Sequence, residues 1–270
     1  CTILTDFQKP KSLSLCSFKK CCTHIIAPLS FVANLSLSTG CFPDELKLSK
    51  VKPLYKKGSV TDVGNYRPVS LLSVFSKIIE KVMHKRLISY LNKYNIIDNN
   101  QHGFMLGKST NTAITNFIKN VYESVDKKQI SVGLFLDLSK AFDLVDHEIL
   151  LRKLSAYGIR GLAHEWFKSY LTNRKQLVEI TYQNNNKNEI NNYSSSLQYV
   201  NYGVPQGSIL GPILFLIYIN DLGTCIKHGK PTLFADDTSI FISGHKMENI
   251  QSDIRDTVNQ LSQWFQKNRL

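Results

Sequence analysis

The sequence lacks any apolar run long enough to cross a membrane. Its longest, Ile209 to Ile219, is eleven residues and includes Gly211 and Pro212, where a spanning helix needs about 20. That excludes a transmembrane chain. Acidic residues are scarce beside basic ones, 21 against 33, which leaves a net charge of +12 over 270 residues. Cysteines are few after the start: five of the six lie in the first 41 residues, and no pair has the two-residue spacing of a zinc knuckle. Cys16, Cys21, Cys22 and His24 could in principle gather a metal, but reduced thiols of an intracellular protein are the better reading. There is no internal repeat and no Ser, His and Asp set for nucleophilic catalysis; His102, His147 and His164 read as packed or surface side chains. No basic-then-apolar leader opens the chain. It begins at Cys1 and stops at Leu270 within a helical pattern, so a piece of a longer reading frame is expected.

What is present describes a folded protein. Apolar residues make up 43% and charged ones 20%, far from the composition of disorder, and the length allows about two folding units. The positive charge is concentrated. Residues 46–93 hold eleven Lys and Arg against Asp62 and Glu80, and Lys56, Lys57 and Arg67 fall in a stretch with Gly, Asn and Pro that reads as a loop from which side chains can reach a phosphate. Such a basic face usually meets a polyanion, so nucleic acid is the expected partner.

The pattern interleaves helices and strands, an α/β (α+β) class. Residues 1–45 read as a helical N-terminal extension. A three-to-four spacing of Phe75, Ile79, Val82 and Leu91 marks an amphipathic helix near 71–91, and 110–125 is a second. Ile130 to Leu136 reads as a buried strand ending on Asp137. Asp146 is placed to cap a helix that Gly158 stops, and Leu162 to Leu171 form another. Strands are expected over 176–182 and 197–202, joined by an Asn- and Ser-rich tract, Asn184 to Ser196, that reads as a mobile hairpin loop. Two further strands, 231–234 and 238–242, flank Ala235-Asp236-Asp237 before a helix over 247–267.

Three carboxylates stand where burial would be costly: Asp137, Asp236 and Asp237. Two of them within about 5 Å would repel by roughly 3 kcal/mol at an effective dielectric near 20, which a cation between them would relieve. Neighbouring strand residues face opposite ways, so Asp236 is expected nearer to Asp137 than Asp237 is. Oxygen-only ligands select Mg²⁺ or Mn²⁺ over Zn²⁺, and two such ions about 4 Å apart serve in-line phosphoryl displacement. On pattern alone an Asp-Asp hairpin is as often a plain turn. The intervening segment Gly203-Val-Pro-Gln-Gly-Ser-Ile-Leu-Gly-Pro212 has glycines that let a backbone lie flat against a nucleotide.

An ordered set of motifs carries a family resemblance. It comprises Phe42-Pro43-Asp44, Asn65 to Leu72 (NYRPVSLL), Gln101-His-Gly-Phe104, Phe135 to Asp143 (FLDLSKAFD), Ser169 to Arg174 (SYLTNR), Gly203 to Pro212 and Phe234-Ala-Asp-Asp237. With Asp236 standing 99 positions after Asp137, the set resembles the reverse transcriptases of non-LTR retrotransposons, jockey-type, over about residues 25–270. The resemblance implies a right-hand polymerase with an antiparallel palm sheet backed by helices. Its fingers would be mainly 46–130 and about 150–200, its palm mainly 131–149 and 201–246, with a trailing helix 247–270 and the thumb missing. It implies RNA-directed DNA synthesis with two Mg²⁺ ions (Mn²⁺ a possible substitute), an RNA template, a DNA primer and dNTPs, in the nucleus and cytoplasm. Asp137, Asp236 and Asp237 resemble the metal-holding triad, Phe142 the aromatic gate against a 2′-hydroxyl, and Gln206 the glutamine beside the incoming nucleotide. Arg67 resembles the arginine that grips the triphosphate, with Lys57 or Lys56 as its companion. Asp143 reads as a local cap or ion-pair partner. Met105 stands where the family usually has arginine, a role Lys108 could take over. The alternative is a truncated, catalytically silent remnant that only binds nucleic acid.

Overall fold

The computed structural model describes residues 15–184 and 189–270. Cys1 and the side chains of Cys16, Cys21 and Cys22, weighed above for metal binding, lie outside the described residues, as do residues 185–188 of the Asn/Ser tract.

Helix α1 (Leu15–Thr39) opens the described chain. The end of the 1–45 segment is built into the core: Phe42 is buried edge-on between Trp166 and Tyr170, with ring centroids 5.4 and 5.1 Å away, and the Trp166 indole donates to Ser36 Oγ at 2.9 Å. Strands β1 (Leu48–Tyr55) and β2 (Tyr66–Leu71) then form an antiparallel hairpin. Arg67, expected in a loop, lies in β2 opposite Leu54, and the loop proper is 56–65. Pro53 faces Pro68 across this pair; proline is at home only where a strand asks for no N–H donor.

Helix α2 (Val74–Lys93) is capped by Ser73, whose Oγ accepts from the Phe75 amide. Its core face is Ile79, Met83, Leu87 and Leu91, a four-residue row, whereas Val82 is exposed. Helix α3 (Thr110–Asp126) begins with a reciprocal capping box of Ser109 and Thr112. Strand β3 (Ile130–Leu136) follows, then α4 (His147–Ala156), whose cap Asp146 accepts from the Glu148 and Ile149 amides, and α5 (Leu162–Leu171). Strands β4 (Arg174–Asn184), β5 (Glu189–Ser194) and β6 (Gln198–Val200) come next. Helix α6 (Gly211–Ile219), strands β7 (Lys230–Phe234) and β8 (Asp237–Gly244) and helix α7 (Met247–Asn268) complete the chain.

The Asn184–Ser196 tract corrects the expectation of an unstructured loop, since Glu189–Ser194 pairs with β4 in register from Asn184↔Glu189 to Glu179↔Ser194. Polar pairs such as Thr181 Oγ1 donating to Asn192 Oδ1 at 2.9 Å hold it, so apolar content gave no sign of it.

The strands make two sheets. One is mixed, in the order β2-β1-β4-β5 with β6 also on β4, because β1 and β4 run parallel. The other is antiparallel, in the order β3-β8-β7. In the second sheet β3 is an edge strand rather than a buried one: Ile130 and Phe135 are exposed and only the alternate residues Val132, Leu134 and Leu136 pack on the core. Helix α3, which sequence order groups with the fingers segment, packs on this sheet through Phe117, 5.5 Å from Phe135 and 5.8 Å from Phe241. The core centres on α6, where every side chain from Ile213 to Ile219 is buried; each such large apolar side chain stabilises by about 1.5–3 kcal/mol. Among the described residues no helix is long and apolar enough to cross a membrane.

Candidate active site

The antiparallel sheet brings the acids together. The β3–β8 register, from Ile130↔Gly244 to Leu136↔Thr238, continued by one residue sets Asp137 opposite Asp237. Directly opposed residues share a face. Phe234 pairs with Asp237, so Ala235 and Asp236 form the two-residue loop of the β7–β8 hairpin. By that register Asp237 stands across from Asp137, and Asp236, expected as its closer partner, lies next to it in the turn.

Exposure differs from expectation too. Asp137 and Asp237 are exposed and Asp236 half-buried, so the acids line an open cleft instead of a buried pocket. Partial burial, followed by the charges of Asp236 and Asp137, pushes the Asp237 carboxyl above the usual carboxylate range. A carboxyl raised by neighbouring like charges marks a place where a cation is favoured, and the donors are all oxygen, as Mg²⁺ and Mn²⁺ require. Among the described residues no group of three or more His, Cys, Asp or Glu side chains is placed to hold a metal ion; the three carboxylates are neighbours at the open end of the sheet. Beside Asp237 an apolar cavity of about 720 Å³ is walled by Phe117, Phe135 and Phe234.

The turn is under strain and is held from outside. Ala235 has φ +53°, where an L-residue with a Cβ costs roughly 1–2 kcal/mol. The segment before α3 supports it. His102 N donates to Leu233 O at 2.7 Å and Leu233 N to Asn100 O at 2.9 Å, so residues 100–102 line the outer edge of β7. The buried Gln101 side chain then reaches the turn, its Oε1 accepting from Gly103 N at 2.7 Å and from Ala235 N at 3.0 Å.

The Gly203–Gly211 segment is fastened on both sides. Gly203 N donates to Val145 O at 2.7 Å and Val204 N to Phe142 O at 2.9 Å. Gly203, at φ +82°, could carry no side chain, because a Cβ would fall 2.8 Å from the Asp143 carbonyl oxygen. His147, its pKa lowered mainly by burial, contacts the Gly203 carbonyl through Nε2 at 2.7 Å; a carbonyl only accepts, so Nε2 carries the proton. From the other side Ser70 N donates to Gln206 O at 2.7 Å, and the fully buried Glu80 accepts from the Ile209 and Leu210 amides at 2.8 and 3.4 Å and from Ser76. Burial raises the Glu80 pKa, while these donors and nearby Arg174 pull it back down.

Each sequence-predicted residue has a definite place. Gln206 Nε2 donates to Asp143 Oδ1 at 3.0 Å, so Asp143, expected as a cap or ion-pair partner, orients the Gln206 amide; its pKa is raised, chiefly by burial. Phe142 stacks on Phe215 at 4.7 Å and meets Phe104 edge-on at 6.2 Å. Arg67 and Lys57 are exposed on the β1–β2 hairpin, away from the acids in sequence and sheet. Lys108, weighed as a substitute for the arginine that Met105 replaces, donates its ammonium to the Asn99 and Gln101 carbonyls. In the sequence Gln101 stands within a motif with no role of its own, and Glu80 is only one of the few acids among the lysines of 46–93. An acid on the inward row of α2 beside Ser76 and Ile79 was the available signal.

An antiparallel sheet carrying three acids at one end, with a mixed sheet beside it, is the framework of a right-hand nucleic-acid polymerase. Solved structures agree on the fold: apo telomerase from Candida Tropicalis superposes with a TM-score of 0.58 at 12% identity, over 91% of this chain and 47% of that one. A form truncated from its C-terminal domain gives a TM-score of 0.54. The model of the family "Reverse transcriptase (RNA-dependent DNA polymerase)" matches residues 54–270, and the chain belongs to that family. Among curated proteins it is 30% identical over 247 residues to the RNA-directed DNA polymerase from mobile element jockey of Drosophila melanogaster. It is 27% identical over 253 residues to the probable RNA-directed DNA polymerase from transposon BS of the same organism. The alignments cover 87% and 88% of this chain but only 25% and 26% of those relatives, so it spans about a quarter of their length.

Proposed function

We propose that this chain is the polymerase core of a non-LTR retrotransposon reverse transcriptase, adding dNTPs to a DNA primer 3′-hydroxyl on an RNA template. The observation that carries it is the convergence of Asp137, Asp236 and Asp237 at one end of the antiparallel sheet, close enough that Asp237 responds to both others. In this reading that sheet is the palm and the β1–β2–β4 sheet the fingers.

Asp137, Asp236 and Asp237 would hold divalent Mg²⁺, or Mn²⁺. When bound, such ions stabilise the attacking and leaving oxygens of phosphoryl transfer. In the reaction the primer 3′-oxygen bonds to the α-phosphorus and loses its proton, and the bond from that phosphorus to the bridging oxygen breaks to release pyrophosphate. The protein's own part is positioning and charge. Phe142, fixed by Phe215 and by its carbonyl bond to Val204, presents a ring edge to the sugar. Gln206, oriented by Asp143, lies beside the base. Arg67 offers the triphosphate a planar fork of donors, with Lys57 as a second cation, and the exposed basic side chains of 46–93 meet the phosphate backbone.

The test is extension of a DNA primer annealed to RNA, with Mg²⁺ and with Mn²⁺, by the unmodified chain and by Asp236→Asn. Metal-dependent product from the first and none from the second is expected. Equal duplex binding by both with no product from either would favour a silent nucleic-acid binder.

A further inference from the structure

We infer that Gln101 is a positioning residue for the catalytic turn: its carboxamide clamps the left-handed Ala235 and thereby sets where Asp236 and Asp237 point. The inference rests on the polymerase reading above and adds to it a residue outside the acid set.

Four observations converge. Ala235, immediately before the two acids, holds φ +53° with a Cβ, a conformation that glycine adopts without cost and alanine does not. A two-residue hairpin loop calls for φ > 0 at its first residue, so the turn asks of Ala235 a conformation that its Cβ resists. Gln101 Oε1 holds it there by accepting from Ala235 N at 3.0 Å while the same atom accepts from Gly103 N at 2.7 Å. Both partners are N–H donors, so the amide must present its oxygen here and cannot be flipped. The Gln101 backbone is in turn fixed to β7 through the Asn100 and His102 bonds to Leu233 and through a bridge of Gln101 with Leu233. Lastly, Gly103 packs so closely on the turn that a Cβ there would lie 2.3 Å from Ala235 N. The buried amide is thus a fixed support wedged behind an exposed, mutually repelling set of acids.

Gln101→Leu keeps the size and removes the acceptor, and Ala235→Gly removes the need for a clamp. The account expects Gln101→Leu to speed hydrogen exchange of the Ala235 amide about tenfold and to weaken Mn²⁺ binding, read by electron paramagnetic resonance, by a similar factor. In primer extension kcat should fall about tenfold with the dNTP KM within about twofold. Adding Ala235→Gly to Gln101→Leu should recover most of the Mn²⁺ affinity and kcat, a rescue that a merely structural role would not show. The inference is overturned if Gln101→Leu leaves Mn²⁺ affinity and Ala235 exchange unchanged. It is equally overturned if both losses occur but Ala235→Gly restores neither. Should the unmodified chain extend no primer, the polymerase reading fails by itself, and the exchange and Mn²⁺ measurements still decide the clamp.

Discussion

The two-residue turn at Ala235-Asp236 and the ten-residue tip of the β1–β2 hairpin both connect antiparallel strands and both carry residues assigned to the proposed reaction, yet they are supported in opposite ways. The acid turn is held by distant parts of the chain: Gln101 from before α3, β3 through its register, and Gly103 in contact with its backbone. The basic tip, residues 56–65, is held by its own atoms, with Tyr55 and Tyr66 hydroxyls donating to Gly58 and Val60 carbonyls, Asn65 to Ser59 O, and Asp62 accepting from Gly64 N. External support fixes a geometry to a fraction of an ångström; local support shapes a loop but leaves it free to move as a unit. On the proposed reading, acids that share a cation would need the first, and cations that close on a triphosphate would be served by the second.

The largest effect is expected from removing the support of the Gly203–Gly211 segment, which is also held by distant parts of the chain. Glu80→Ala strands the Ile209 and Leu210 amides and Ser76 in the core beside Arg174 and should destabilise the fold by about 3–5 kcal/mol, seen in denaturant unfolding. Glu80→Gln retains an acceptor and should cost clearly less. Next, Gly103→Ala drives a methyl against Ala235 N; a strain of about 1–3 kcal/mol is expected, with primer extension falling further than thermal stability alone explains. Arg67→Ala, at the tip's base, should leave unfolding unchanged within about 0.5 kcal/mol while raising the dNTP KM about tenfold.

The smallest effect has the opposite sign. Asp237 has a raised pKa in the folded chain, so its ionisation opposes folding. The penalty grows as pH rises through the unfolded carboxyl value near 4 and is complete above the folded value. Asp237→Asn should therefore raise Tm at neutral pH by about 1–2 °C, with the gain disappearing in acid, even as it abolishes extension.

Much of this was legible beforehand, for physical reasons particular to each element. Helices with local signals stood out: Asp146 caps α4, and α5 runs over Leu162–Leu171 as its apolar spacing predicts. The acid hairpin was legible because β-rich runs flank Ala235-Asp236-Asp237, although Asp237 belongs to the strand rather than the turn. The β1–β2 hairpin was hidden by Pro53 and Pro68, which pair with one another, and by its lysines. Strand β5 was hidden by polarity, since four of its six residues, Glu189, Asn191, Asn192 and Ser194, are polar. The openness of the acid cleft was not readable because β3 is apolar in sequence and only the sheet order makes it an edge. Gln101 and Glu80 act on backbone amides that lie 134 and 129 residues away, and no local pattern encodes such a partner.

The most direct measurement is a side-by-side determination of kcat, dNTP KM and duplex affinity for Asp237→Asn and Arg67→Ala in the primer-extension assay. The account predicts that Asp237→Asn loses kcat by about a thousandfold with duplex affinity intact, whereas Arg67→Ala keeps kcat within about threefold and loses dNTP affinity. An Arg67→Ala chain as inactive at saturating dNTP as Asp237→Asn, or an Asp237→Asn chain that extends normally, would contradict it.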